Sequence, residues 1–162
     1  MPAETLEKIA GTRPRNVRLM GLDLGTKTIG VAISDSAHSI ATPVRVVQRT
    51  KFTRDIVELG KIIRDYDIGG YVLGYPLNMD GTMGPRCDAV QSFAAEMLNH
   101  PDIFGPKPWI ALWDERLSTA AMTDFLIDTV DISRTKRKQV IDKLAAQYIL
   151  QGALDFIQAA DL

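Results

Sequence analysis

Acidic residues follow two of the apolar runs in this sequence, which is where a folded chain can place carboxylates at the end of a strand. Asp23 lies in the run GLDLGTKTIG at 21–30, at the end of the first expected strand. Glu115 stands next to Asp114 in the run DERLST at 114–119, after the last expected strand. Carboxylate oxygens are the ligands that hard cations such as Mg²⁺ prefer. Both positions are therefore candidates for metal-assisted chemistry.

A third acidic residue, Asp142, interrupts the apolar side of the final helix, which we expect to begin near Ser133. At 100° per residue, Asp142 falls near the edge of the arc that carries most of the apolar side chains. An aspartate on a core-facing side conflicts with the surrounding pattern, and such conflicts tend to mark functional sites. Ala145 and Ala146 are small enough to let this part of the helix approach the sheet closely.

Structural roles for these acids remain open at this point. Asp23 could instead accept backbone hydrogen bonds from the turn at 25–27. Adjacent strand residues point to opposite faces, so Asp114 and Glu115 cannot both reach one site while the strand continues. One of them would then be catalytic and the other a salt-bridge partner or a cap. Alternatively, both form a solvated acidic strand end that is paired with Arg116.

Basic residues crowd the first turn of the final helix, where the helix dipole favours negative charge instead. A bound polyanion would offset that cost, although a solvated basic face is an equal alternative. Other phosphate-binding candidates lie in the turn after Asp23 and around the loop 75–85. The full set of nucleic-acid-binding candidates is Thr26, Lys27, Asn78, Arg86, Arg116, Arg134, Lys136, Arg137 and Lys138.

The apolar pattern predicts an α/β domain with a five-stranded mixed sheet and helices on both faces. Residues 1–15 are interpreted as a flexible leader and 16–162 as one domain. The first strand is apolar on both faces and should be central, whereas Pro43 should confine the third strand to an edge. The element order is β-β-β-α-β-α-β-α-α, with strands expected at 17–24, 28–34, 40–48, 69–74 and 109–113.

Composition narrows the function classes further. The chain has 162 residues and a net charge of −1, so any polyanion binding must come from local clusters of cations. Cys87 is the only cysteine, which favours a reducing compartment, and we expect a cytoplasmic protein. His38 and His100 fall in expected loops without an orienting partner, which argues against Cys87 as a nucleophile.

Four blocks in order make the chain similar to the YqgF (RuvX) family, the pre-16S ribosomal RNA nucleases related to Holliday-junction resolvases. The resemblance covers residues 16–158, and its blocks are GLDLGTKTIGVAISD (21–35), GYPLNMDG (74–81), DERLST (114–119) and SRTKRKQVIDKLAAQYILQGALD (133–155). It implies a ribonuclease H-like fold and processing of the 5′ end of precursor 16S ribosomal RNA in the cytoplasm. By position, the catalytic and metal-binding acids become Asp23, Glu115 and Asp142. Tyr75 and Thr135 depart from the family pattern, but neither is one of the acids.

The resulting hypothesis is phosphodiester hydrolysis with Mg²⁺ or Mn²⁺. Two ions about 4 Å apart would activate water and stabilise the leaving oxygen. Asp23 would bridge both ions, Glu115 and Asp142 would each complete one, and Lys138 would neutralise the scissile phosphate. RNA is the expected partner.

Three alternatives stay open. An actin-like ATP-binding domain has a similar first turn, but it clamps nucleotide between two domains, and this chain has room for one. A non-catalytic ribosome assembly factor would keep the acids for stability. Resolution of branched DNA would need a dimer, and the sequence does not distinguish a monomer from a homodimer.

Overall fold

The computed structural model describes residues 3–78, 80–114 and 134–160, and for 134–143 it describes the backbone only. The described residues form a six-stranded mixed sheet in the order β1-β6-β5-β2-β3-β4. The strands are β1 (Glu4–Thr5), β2 (Arg18–Leu24), β3 (Thr28–Ser34), β4 (Ala41–Gln48), β5 (Ile68–Tyr75) and β6 (Trp109–Asp114). The helices are α1 (Leu6–Ile9), α2 (Phe52–Asp65), α3 (Pro85–Leu98), α4 (Pro101–Phe104) and α5 (Arg134–Ala159).

The strand pairing follows from the sequence pattern. β2 and β3 are joined by a short turn and pair antiparallel, whereas β5 and β6 follow helices and pair parallel with their neighbours. β2 lies between β3 and β5, which confirms its predicted central position. β4 is the outer strand at one edge, and its ladder shifts register opposite Ala32, where Pro43 is the partner. That edge position fits a residue without a backbone N–H.

Two apolar clusters cover the two faces of the sheet, because alternate strand residues point to opposite sides. Met20 and Leu22 face the cluster formed with α2 and α3. Leu19 belongs to the second cluster, which includes Ile149 and Leu150 of α5. The prediction of a mixed sheet with helices on both faces is thus confirmed.

The expectation of a flexible leader at 1–15 is wrong for residues 3–13. β1 pairs in parallel with β6 and adds the sixth strand to the five predicted. Leu6 is fully buried, and the Trp109 indole N–H donates to the Ile9 carbonyl oxygen at 3.2 Å. This segment therefore protects an edge strand that would otherwise be open for pairing.

His38 has the orienting partners that the sequence did not reveal. It is 2% exposed, and its Nδ1 accepts a hydrogen bond of 3.1 Å from Nε of the buried Arg13. Its Nε2 lies 2.7 Å from the Val17 carbonyl oxygen, so this nitrogen carries the hydrogen. Burial lowers the pKa of His38, and the neighbouring Arg13 lowers it further, although the bond to Val17 opposes the shift. This histidine is thus a structural link between the N-terminal segment and the sheet.

Cys87 is buried in the first cluster, as expected for a structural cysteine. In the part of the chain that the structure describes, no helix combines the length and hydropathy that crossing a bilayer requires.

Candidate functional site at the carboxyl edge of the sheet

Three neighbouring parallel strands end at the same edge of the sheet. β2 pairs with β5 up to Leu22 and Leu73, and β5 pairs with β6 up to Tyr75 and Asp114. Ligands of open α/β sheets collect beyond the carboxyl ends of such strands. This edge is therefore the place to look for a site, and Asp23 lies on it.

Asp23 is half-buried near the end of β2. Its antiparallel neighbour on β3 is Gly30, so no side chain stands directly opposite it on that strand. Because strand side chains alternate, Asp23 shares a face with Gly21, two residues earlier. An alanine β-carbon at Gly21 would lie 2.7 Å from the Leu150 β-carbon, which shows that this face is the one that α5 covers.

The position of α5 along the sheet follows from the hydrogen bonds of its described side chains. Gln151 accepts a hydrogen bond from the Ala41 amide at 2.9 Å and donates to the Ser39 carbonyl oxygen at 3.0 Å. Gln158 donates to the His38 carbonyl oxygen at 2.9 Å. These partners lie at the amino end of β4 and just before it, on the edge opposite Asp23. The helix thus runs from the edge that carries Asp23 towards the other one.

The turn after Asp23 is held by Arg49, a residue that the sequence reasoning missed. The Gly25 amide donates to the Thr28 carbonyl oxygen at 2.9 Å, and the Arg49 guanidinium donates to the Gly25 carbonyl oxygen at 2.6 Å. The same guanidinium lies 5.9 Å from the centre of the Phe93 ring on α3. Thr26 and Lys27, at the tip of this turn, are both exposed. Arg49 therefore fixes the turn that presents them.

The loop after β5 is held by hydrogen bonds between its own side chains. The Asn78 side-chain amide donates to the Thr82 hydroxyl at 3.0 Å, and that hydroxyl donates to the Asp80 carboxylate at 2.6 Å. Asn78 and Arg86 are exposed on either side of this loop, Arg86 in the first turn of α3. Their nucleic-acid-binding roles stay predictions, and Asn78 has a structural role as well.

The other predicted site residues lie either outside the described residues or in the part of α5 that is described by its backbone only. Glu115 and Arg116 fall outside the described residues. Asp142 and the basic group Arg134, Lys136, Arg137 and Lys138 lie on α5, and their side chains are outside the description. Among the described residues, no group of three His, Cys, Asp or Glu could hold a metal ion. Of the three predicted metal ligands, Asp23 alone has a described side chain.

Comparisons with known proteins agree on the family. A family model described as "RuvX: Holliday junction resolvase" matches residues 17–156. The chain is 51% identical to a Rhodospirillum centenum protein named "Putative pre-16S rRNA nuclease", covering 99% of this chain and 85% of that one. A Paramagnetospirillum magneticum protein of the same name is also 51% identical, over 95% of this chain and 93% of its own.

One solved structure supports the fold. RuvC of T. thermophilus, in a complex with a Holliday junction substrate, superposes with a TM-score of 0.51. The match covers 88% of this chain and 96% of that one at 10% sequence identity. At that identity the similarity concerns the fold alone.

Proposed function

The chain belongs to the RuvX family, and we propose that it is a cytoplasmic, divalent-metal-dependent nuclease that hydrolyses phosphodiester bonds in precursor 16S ribosomal RNA. The observation that carries the proposal is the position of Asp23. It lies at the carboxyl edge of the central strand, on the face that α5 covers. Strand alternation and helix geometry extend the proposal to Glu115 and Asp142.

The alternation of β6 supports Glu115 rather than Asp114 as the second acid. Leu112 packs in the cluster with α2 and α3, whereas Ala111 and Trp113 pack in the cluster with α5. Asp114 then belongs to the face of Leu112. If the alternation continues for one more residue, Glu115 shares the face of Asp23.

Distances along the chain support Asp142 as the third acid. The Ala146 carbonyl oxygen lies 3.3 Å from the position of a β-carbon at Gly21, so this part of α5 crosses β2 there. Asp142 precedes Ala146 by one turn, a rise of about 6 Å. Asp23 follows Gly21 by two strand residues, a rise of about 7 Å in the same direction. The two acids are therefore expected at similar positions along the direction of β2, near its carboxyl end.

The donor set fits Mg²⁺ or Mn²⁺, since both accept carboxylate oxygen ligands. Bound there, the metal would supply a water of lowered pKa and charge stabilisation for the leaving oxygen. Asp23, Glu115 and Asp142 would hold it. Lys138 would offset the charge of the scissile phosphate. The turn held by Arg49 would keep Thr26 and Lys27 beside that phosphate.

The direct test replaces Asp23 by Asn, which keeps the shape of the side chain and removes its charge. Cleavage of a precursor 16S RNA fragment with Mg²⁺ or Mn²⁺ should be abolished, because the substitution removes the charge of a metal ligand. RNA binding without metal and the urea unfolding midpoint should change little. Asp65→Asn is the matched control, since Asp65 is exposed at the end of α2, away from the carboxyl edge. Full cleavage by Asp23→Asn would refute the assignment.

A four-way DNA junction belongs in the same assay, because the matching family model carries the description of a Holliday junction resolvase. Cleavage of the junction in preference to RNA would assign branched DNA as the substrate. RNA binding without cleavage of either substrate would instead assign a non-catalytic assembly factor.

A further inference from the structure

Three exposed cations lie in or close to the turn that follows Asp23. Lys27 is at the tip of that turn, Lys51 immediately precedes α2, and Arg54 lies in the first turn of α2. We call these three residues the basic strip. Lys51 and Arg54 were not among the residues that the sequence pattern singled out.

The backbone around Arg49 connects the two parts of the basic strip. The Arg49 amide donates to the Lys27 carbonyl oxygen at 2.8 Å, so the chain after β4 lies against the β2–β3 turn. The Arg54 amide donates to the Lys51 carbonyl oxygen at 3.0 Å, which begins the helix. Phe52, between them, packs edge-on against the Phe93 ring at 5.3 Å and anchors this segment to α3. The strip therefore has a defined place beside the carboxyl edge.

The nearby acids are already engaged elsewhere. Asp55 is 4% exposed, and its carboxylate accepts hydrogen bonds from the Thr50 amide at 3.0 Å and the Thr50 hydroxyl at 3.2 Å. Glu58 is paired with Arg45 at 3.0 Å and with Lys61 at 3.4 Å. Within the part of the chain that the structure describes, none of the three strip cations has an ion-pair partner.

We infer that the basic strip binds the phosphate backbone of the RNA substrate. The bound RNA strand runs from the scissile bond at the carboxyl edge over the start of α2. This inference rests on the proposed function, because it takes the carboxyl edge as the place of cleavage. A chain with a net charge of −1 has no general attraction for a polyanion, so local groups of cations must supply it. Lys27, Lys51 and Arg54 form such a group within the described residues, next to the candidate site.

The salt dependence of RNA binding measures the number of phosphates that the protein neutralises. Removing one cation that binds a phosphate of single-stranded RNA lowers the steepness of log K against log salt by about 0.7. The variant Lys51→Gln with Arg54→Gln should therefore flatten the slope by about 1.4. Between about 50 and 200 mM salt, the decline in its affinity should be about sevenfold smaller than that of the unmodified chain.

The matched control is Arg64→Gln with Lys107→Gln, which removes the same total charge. Arg64 lies in the last turn of α2 and Lys107 precedes β6, and both are exposed near the amino edge of the parallel strands. A slope like that of the unmodified chain is expected for this pair. The probe is a fluorescently labelled single-stranded RNA, followed by anisotropy in EDTA so that no cleavage occurs.

Equal slopes for the two double variants would overturn the inference, and so would binding by the unmodified chain that does not depend on salt. Cleavage with Mg²⁺ is measured separately on the same proteins. If the proteins cleave RNA but the Lys51→Gln, Arg54→Gln variant has the same salt slope as the unmodified chain, the basic strip is rejected and the nuclease is kept. A flattened slope without any cleavage keeps the strip as an RNA-binding surface and rejects the nuclease.

Discussion

Replacing Gly21 by Ala tests whether the depth of α5 over the sheet controls catalysis. The new β-carbon would lie 2.7 Å from the Leu150 β-carbon and 3.3 Å from the Ala146 carbonyl oxygen. Carbon atoms in contact rest about 3.5–4.0 Å apart, so the helix must move outward by about 1 Å. Neither neighbouring atom is the end of a flexible side chain, which prevents a cheaper local adjustment.

The expected cost in stability is small, but the expected cost in activity is large. Overpacking costs about 1–3 kcal/mol, and the lower entropy of the unfolded alanine chain offsets about 0.4–1 kcal/mol of it. The net loss in the free energy of unfolding should therefore be at most about 2.6 kcal/mol. A displacement of about 1 Å between catalytic groups can lower the rate by about 100-fold. Such a drop in kcat would show that α5 carries a group that must meet Asp23.

The assay compares kcat on precursor RNA with the urea unfolding midpoint, and Ile56→Val is the control. Ile56 packs in the cluster on the opposite face of the sheet, and removing one buried methylene costs about 0.5–1.5 kcal/mol there. That control should lose stability and keep its kcat. If Gly21→Ala also keeps the kcat of the control, the position of α5 does not govern the chemistry.

Two further predictions concern the N-terminal segment and its link to the sheet. Because burial lowers the pKa of His38 below its ordinary value of 6.5, the unfolded chain takes up this proton first, and stability should fall as the pH drops below about 6.5 towards the lowered pKa. Unfolding midpoints measured at several pH values should show that loss of stability. The variant His38→Asn should show less of it, and asparagine accepts the backbone φ of 58° at this position. An equal pH dependence of the two proteins would contradict the assignment. Deleting residues 1–12 should lower the free energy of unfolding by about 2–5 kcal/mol, since it uncovers the core around Leu6 and removes the pairing with β6. An unchanged urea midpoint would show that this segment does not stabilise the fold.

The regular elements of the sheet could be predicted because their signals are local. The two apolar runs and the turn between them at 25–27 predicted β2 and β3 to within one residue, and Pro43 correctly indicated an edge strand. Gly21 and Ala146 also meet at the close approach that the small residues of α5 suggested. Each of these features depends on residues near one another in sequence or on a property of one residue type.

The features that escaped prediction depend on long-range interactions. Leu6 and Ala10 are too few to form a periodic pattern, so the sequence predicts a flexible leader where the structure buries both residues. Arg49 gave no signal of its own, because its role arises from Gly25 and Phe93, which are far from it in sequence. A single cation after a strand has many uses, and only the folded chain distinguishes among them.

The most direct test of the metal-dependent nuclease is a crystal structure of the protein soaked in Mn²⁺, with anomalous scattering used to locate the ions. We predict manganese at the carboxyl edge of β2, coordinated by carboxylate oxygens of Asp23, Glu115 and Asp142. Ions bound only elsewhere, or carboxylates too far apart to share one ion, would contradict this prediction.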